Sequence, residues 1–378
     1  MAQTFDLREA PVAGRVTDLV GKPASLIPTP ALVVETEVLE RNLRLMSDFF
    51  ARRHAKLRPH FKSHKCVTIA RRQLKNGNAV GITCAKLSEA EVLAAGGIRD
   101  ILIANQIVGR DKVERVAELA RTCRLTVAVD DESQVRQLST ALARTHATAG
   151  VLVEVDIGLA RCGVPPGERA LEIARAAETA AGVDFRGIQA YEGHCLSVID
   201  PEERRRQVLA SMQKAVDTRR LIEASGLPVQ VLSGGGTGSY DMTGVMDGVD
   251  EVQAGSYALM DHYYAKRRPE FALALSVITT VISSNGSDHA ILDVGVKGVG
   301  ADLGPPVLAD RPEDVISRFE SEEHASVRVD GRPLKVGDRV RLFPSHGCTT
   351  CNLHRRIFAV RDGMVEDIWA IEGSGCLE

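Results

Sequence analysis

From Leu57 to Tyr257 the chain alternates between two hydrophobic rhythms. Short apolar or β-branched runs read as eight strands: LRPHFK at 57–62, AVGITCA at 79–85, DILIANQ at 100–106, LTVAVDD at 125–131, GVLVEVDIG at 150–158, FRGIQAY at 185–191, VQVLSGG at 229–235 and EVQAGSY at 251–257. Between them, segments such as DKVERVAELARTC at 111–123 and PGERALEIARAAETAAG at 166–182 place apolar residues at helical spacing. They are flanked by Pro, Gly or Asp, as helix ends usually are. Alternating strand and helix predicts an α/β fold with a parallel sheet, and the count of strands favours a closed (β/α)8 TIM-type barrel over an open sheet.

After about residue 270 the helical rhythm stops. Strand-like runs with Gly, Asp and Asn turns replace it: ALSVITTVISSNGSDHAILDVG at 274–295, ASVRVDGRPL at 325–334, DRVRLF at 338–343 and IFAVRDGMVEDIWAI at 357–371. They predict an antiparallel β domain, with hairpin turns at Asp330-Gly331 and Asp362-Gly363. The early run ALVVET at 31–36 precedes the barrel and is expected to pair with this domain. The expected division is a barrel over 28–268 and a C-terminal β domain over 269–378, with 1–36 contributing to the second. Residues 298–326 read as a long irregular insertion, a place for a functional loop.

With 378 residues there is chain enough for a large buried core. Apolar residues make up 44% and charged residues 26%, and the formal net charge is -3, so neither disorder nor a polyanion partner is indicated. Nucleic acid is not an expected ligand. No apolar run reaches the roughly 20 residues that span a bilayer. The N-terminal MAQTFDLREA lacks the apolar stretch of a secretory signal. A cytoplasmic protein away from membranes is expected, its 8 cysteines reduced and mostly filling core space.

In a barrel of this kind chemistry gathers at the C-terminal ends of the strands, where the loops converge. Lys62 ends the first strand. A lysine that forms an imine needs a neutral amine, which burial and the neighbouring His60, His64 and Lys65 would favour. A surface lysine in a basic loop is the alternative. The seventh strand runs into Gly234-Gly235-Gly236-Thr237-Gly238-Ser239, and the eighth into Gly255-Ser256-Tyr257. Glycines let backbone N–H groups approach a phosphate, and hydroxyls of Thr237, Ser239 and Ser256 add donors. A glycine loop needed only for tight turns would look the same in isolation. Barrels commonly bind phosphate at this place, however, and a phosphate anchor opposite an imine-forming lysine is what pyridoxal 5'-phosphate (PLP) requires. Lys62 is then the Schiff-base residue.

At the end of DRVRLF, His346 and Cys348 stand two apart, so an extended backbone would put both side chains on one side, within reach of one ion. Imidazole with thiolate suits zinc, whereas a carboxylate in the thiol's place would suit manganese or magnesium. Two protein ligands leave positions for water or substrate, the pattern of a catalytic metal. Plain structural thiols, or a redox pair of Cys348 with Cys351, are the competing readings. The redox pair is disfavoured because it does not follow the first strand of a thioredoxin-like unit.

The segments RPHFKSHK (58–65), EVDIGLARCGV (154–164), GIQAYEGH (187–194), SGGGTGSY (233–240), QAGSYALMD (253–261) and PSHGCTTCNLH (344–354) resemble the D-threonine aldolase group. That group lies within the fold-type III PLP enzymes related to alanine racemase, and it also holds D-3-hydroxyaspartate aldolases and eukaryotic-type D-serine dehydratases. The resemblance runs from Thr29 onward. It implies an alanine racemase-type barrel with a C-terminal β domain, a homodimer, Lys62 as the Schiff-base residue, Arg161 near the ring's phenolic oxygen and Tyr191 in the cofactor pocket. It also implies a divalent metal (zinc, manganese or magnesium), held by His-x-Asp in the aldolases and His-x-Cys in the D-serine dehydratases. Here the pair is of the second kind, although SGGGTGSY and QAGSYALMD look like the aldolases.

The activity so implied acts on a small D-configured β-hydroxy-α-amino acid. Retro-aldol cleavage to glycine and an aldehyde is the expectation, with dehydration to a 2-oxo acid and ammonia as the alternative. An amino-acid racemase and a non-catalytic PLP-homeostasis protein are the further readings. Racemases of this type need a tyrosine base from the second domain rather than a metal, and the carriers lack that domain. Lys62 and His194 are candidate bases, and Glu192 is a neighbour of similar standing.

Overall fold

The computed structural model describes residues 16–76, 78–311 and 313–378. The MAQTFDLREA segment, and residues 1–15 of the stretch expected to join the C-terminal domain, lie outside the described residues. The first strand, β1 (Ala31–Glu35), and helix α1 (Thr36–Ala51) precede a parallel sheet of eight strands. These are β2 (Lys56–Leu57), β3 (Ile82–Cys84), β4 (Asp100–Gln106), β5 (Arg124–Val129), β6 (Ala149–Val155), β7 (Val183–Ala190), β8 (Val231–Gly234) and β9 (Glu251–Val252). Their order is β2-β9-β8-β7-β6-β5-β4-β3, and parallel bridges from Leu57 to Ala79 and from His60 to Thr83 join the two ends into a barrel.

Helices α2 (Val67–Lys75), α3 (Leu87–Ala95), α4 (Arg110–Leu119), α5 (Glu132–Thr145), α6 (Glu168–Glu178) and α7 (Pro201–Ala224) surround it, and a single turn, α8 (Tyr240–Thr243), follows β8. Their ends follow from local chemistry. Asp131 accepts from the Ser133 amide at the start of α5, and Asp200 accepts from the Glu203 amide at the start of α7, where Pro201 has no N–H to satisfy. In α5 the buried Val135, Leu138, Ala141 and Leu142 form the stripe that faces the strands. Inside the barrel's far end Arg58 holds Glu251 through two bonds of 2.8 Å, with Arg186 and Thr126 beside them. That end is therefore closed, and the open face is the one reached by the C-terminal ends of the strands.

The predicted first strand is shorter than LRPHFK. The ladder to β9 continues through the Arg58 and His60 amides, but Pro59 has no donor to offer toward β3, and residues Phe61–Ser63 turn into a 3-10 helix. Lys62 therefore sits on a turn rather than in a strand.

The second sheet contains β1, β10 (Leu275–Ser284), β11 (His289–Leu292), β12 (Val307–Leu308), β13 (Val315–Phe319), β14 (Ala325–Arg328), β15 (Arg339–Phe343), β16 (Arg356–Arg361) and β17 (Met364–Ala370). Its order is β11-β14-β13-β12-β15-β10-β1-β16-β17, and β11 also pairs with β10, so that β10 to β15 form a ring from which β1, β16 and β17 extend. Every pairing is antiparallel except β1 with β16.

Two expectations are corrected. Residues 298–326 are not irregular throughout, since β12, β13 and the start of β14 lie within them. The Asp330-Gly331 pair does not close a hairpin, because β14 pairs with β11 and β13 rather than with β15. Asp362-Gly363 does turn β16 into β17, both residues at positive φ as a primed two-residue turn requires. No helix among the described residues is long and apolar enough to cross a membrane.

Candidate active site

The barrel opens into a cleft of about 900 Å³, its mouth included, lined by Lys62, Arg161, Tyr191, Gly236, Thr237, Gly255 and Ser256 among the residues expected at a site. Lys62 enters it from the turn after β2, anchored by the fully buried Phe61 before it. The neighbours expected to place positive charge beside its amine do not do so. Burial, then the charge of Lys62, holds the His60 imidazole well below its usual range, and burial holds His64 down to about 4. Lys65 is paired with Glu89 at 3.1 Å. Lys62 is thus the lysine presented to the cleft.

The same cleft is lined by the glycine turn after β8, two strands along from β2 in the sheet. Glu192, 0% exposed, accepts from the Gly235 amide at 3.2 Å and from the Thr243 hydroxyl, which fixes this turn from the loop after β7. Ser239 Oγ accepts from the Gly236 amide at 3.2 Å, and Thr237 Oγ1 accepts from the Tyr257 amide at 3.0 Å, which ties the two turns together. A side chain at Gly255 would meet Ser63 Oγ at 2.3 Å, and one at Gly236 would meet the Tyr191 ring at 3.3 Å. Among the described residues, the amides of Thr237, Gly238 and Ser256 donate to no protein acceptor, although Thr237 and Gly238 are buried. Buried amides without partners mark a place built for an anion.

The cleft also holds two orphaned side-chain atoms, His60 Nδ1 and Gln106 Oε1. A lysine, free amides and unsatisfied polar atoms lining one cleft fit PLP. Arg161, its side chain 53% exposed, lies 3.8 Å from Glu154 and 5.9 Å above the Tyr191 ring. Burial, and then Glu192, pushes the Tyr191 phenol up, so it stays protonated.

Four expected residues play different parts. Glu192 builds the cradle and is not free as a base. Tyr257 is 1% exposed in the core, its hydroxyl accepting from Gln73, so only its backbone belongs to the turn. Gly238 does not line the cleft, and a side chain there would strike Leu196 at 2.1 Å. His194 is also outside the lining, with Nε2 at 3.2 Å from Ser211 Oγ and Nδ1 buried without a partner.

His346 and Cys348 come together, but not along an extended strand. His346 caps the short helix α10 (Gly347–Leu353), and Cys348 lies in its first turn. Burial alone would raise the Cys348 thiol, yet His346 and then Lys62 bring it below its ordinary value, and α10 packs on the turn that carries Lys62. Among the described residues no group of three or more His, Cys, Asp or Glu could hold a metal. An ion held by this pair would need its remaining ligands from water or substrate.

Sequence reasoning missed several members of this site. Asp261 caps the short helix α9 (His262–Ala265) through the Tyr264 amide at 2.9 Å and accepts from the Gly347 amide at 2.8 Å. Glu154 lines the cleft and accepts from Gln106 at 2.7 Å, and its position at the end of GVLVEV, facing the barrel interior, was the available signal. Tyr264 lines the cleft, and burial pushes its phenol well up. Asp302 bonds His346; it lies in the 298–326 stretch expected to hold a functional loop, but nothing in the sequence singled out the residue itself.

The barrel, its lysine and its anion cradle define a PLP enzyme of the alanine racemase type. Residues 34–262 match the family of alanine racemase N-terminal domains, and residues 274–360 match a serine dehydratase domain family. Over 94% of its length the chain is 40% identical to D-threonine aldolase of Arthrobacter sp and 38% identical to 3-hydroxy-D-aspartate aldolase of Paracoccus denitrificans, covering 95% of each. It belongs to this aldolase family of PLP-dependent lyases. The crystal structure of D-threonine aldolase from Filomicrobium marinum superposes with a TM-score of 0.93 at 38% identity, covering 97% of this chain and 100% of that one. D-threo-3-hydroxyaspartate dehydratase of Delftia sp. is 29% identical over 85% of this chain and 91% of its own. A cysteine-to-alanine mutant of that dehydratase, in its metal-free form, gives a TM-score of 0.83 at 26% identity, covering 92% and 98%.

Proposed function

We propose that the chain is a PLP- and divalent-metal-dependent lyase, acting as a homodimer, that cleaves the Cα–Cβ bond of a D-configured β-hydroxy-α-amino acid to release glycine and an aldehyde. One observation carries the reading: Lys62 and the amides of Thr237 and Ser256 line one cleft, and the helix that carries Cys348 packs on the turn of Lys62, in a chain whose full-length relatives at 37–40% identity are aldolases. Lys62 holds the cofactor's aldehyde carbon. The amides of Thr237 and Ser256, which line the cleft, would hold its phosphate, and Arg161 and Tyr191 would hold its ring. His346 and Cys348 would hold the ion that acts on the substrate's β-hydroxyl. When bound, PLP supplies an electron sink for the pair left on Cα, and the ion supplies a Lewis acid at the hydroxyl. His194 lies outside the cleft's lining, so the Lys62 amine is the base placed to take the hydroxyl proton and to return one to Cα.

A second reading rests on Cys348, which stands where a carboxylate would mark the aldolase pattern. In dehydration a base takes the Cα proton instead and hydroxide leaves. Incubation with D-threonine, D-3-hydroxyaspartate and D-serine, with glycine, aldehyde and 2-oxo acid assayed separately, decides between them. Glycine with an equivalent of aldehyde is the expected result, and a 2-oxo acid as the main product overturns cleavage. Full activity in EDTA, or in His346→Ala, removes the metal. A Schiff-base absorbance band unchanged in Lys62→Ala removes that lysine.

A further inference from the structure

Asp302 reaches the proposed metal pair from the stretch between β11 and β12, part of a different chain segment from the one that carries His346. Its Oδ2 lies 2.6 Å from His346 Nδ1, and its Oδ1 accepts from the Thr349 hydroxyl at 2.6 Å. The loop that delivers it is fastened to the metal-binding segment at Gly300. The Gly300 amide donates to Thr350 Oγ1 at 3.0 Å, and its carbonyl accepts from Ser345 Oγ at 3.2 Å. A side chain at 300 would press on Thr349 Oγ1 at 2.6 Å, so the close docking needs glycine there. His354, at the end of α10, adds a bond of 2.7 Å to the Gly298 carbonyl. Two successive turns of the loop are thus held against α10 by its own side chains, with Asp302 the residue that faces the imidazole.

We propose that Asp302 is a positioning residue of the metal site: its carboxylate holds the hydrogen on His346 Nδ1 and leaves Nε2 to face the ion shared with Cys348. A carboxylate accepts but does not donate at neutral pH, so a neutral imidazole bonded to it through Nδ1 has its lone pair on the other nitrogen. The same bond fixes the plane of the ring, which matters most where the protein supplies two ligands and cannot correct a misplaced one with a third. This inference rests on the metal reading of His346 and Cys348.

The test measures metal binding rather than turnover. Wild type, Asp302→Ala, Asp302→Asn and His346→Ala, all loaded with PLP, are stripped with EDTA and titrated with Mn2+, Zn2+ and Co2+ by calorimetry. The cobalt–thiolate absorption reports on Cys348, and the PLP absorbance and melting curve report on folding. Asp302→Ala should bind about 10- to 100-fold more weakly than wild type. Asp302→Asn, which keeps an acceptor toward Nδ1–H without the charge, should lose less and should fold even if the alanine variant does not. Excess metal should restore cleavage in both variants, since the ligands themselves remain. Wild-type affinity and an unchanged cobalt spectrum in Asp302→Ala overturn the positioning role. Wild-type protein that binds no ion, or His346→Ala that binds as wild type does, overturns the metal reading itself.

Discussion

His64 uses both ring nitrogens in a single protonation state. Nδ1 accepts from the Cys66 amide and Nε2 lies 3.2 Å from Gln73 Oε1, so the proton is on Nε2, and a second proton would break the amide bond. Burial lowers the folded value to about 4. The unfolded chain takes up its proton near 6.5. The unfolded state therefore binds more protons between those values. Stability is complete above about 6.5 and falls as the pH falls toward 4, by about 3 kcal/mol from this residue at the lower end. Urea unfolding at stepped pH should show that fall, and His64→Gln should flatten it. Gly255→Ala is a second single-residue case. Its new methyl meets Ser63 Oγ and the His60 carbonyl, on the turn that carries Lys62, so it should cost about 1–3 kcal/mol and weaken PLP binding in an absorbance titration. Lys62 and the glycine turns are legible in the sequence because the barrel's geometry assigns strand ends to the site. Glu192 and Tyr257 are not, because a pattern that places a residue on a loop does not say which way its side chain turns.

Among the elements, α9 and α10 are too short to hold themselves together and depend on one carboxylate. Asp261 bonds the amides that open both. Asp261→Ala should lower stability by about 1–2 kcal/mol, as the loss of a helix cap with a buried amide left open does. It should also weaken metal retention on dialysis, because Gly347 lies between His346 and Cys348. Retention at the wild-type level would separate Asp261 from the site. The strands that escaped the sequence share a physical cause. β12 has two residues, and β13 carries a bulge between Ile316 and Arg318, so the alternation that identifies a strand is interrupted before it can repeat. The long strands and amphipathic helices of the barrel repeat their pattern several times and are readable for that reason.

For the whole molecule, ALVVET could be assigned to the C-terminal sheet because a barrel already supplied with eight strands has no place for it. The proposed homodimer has a direct test: light scattering of the PLP-loaded protein should give the mass of two chains, and a monomer would overturn it. The place of β1 has a consequence in time. It pairs with β10 at residues 275–278 and with β16 at 358–360, so it leaves the ribosome hundreds of residues ahead of the strands that cover it. At about 5–20 residues per second, the nascent chain carries that apolar segment without partners for tens of seconds. The yield of folded protein should therefore depend on how fast the chain is made and on what shelters its first strand meanwhile.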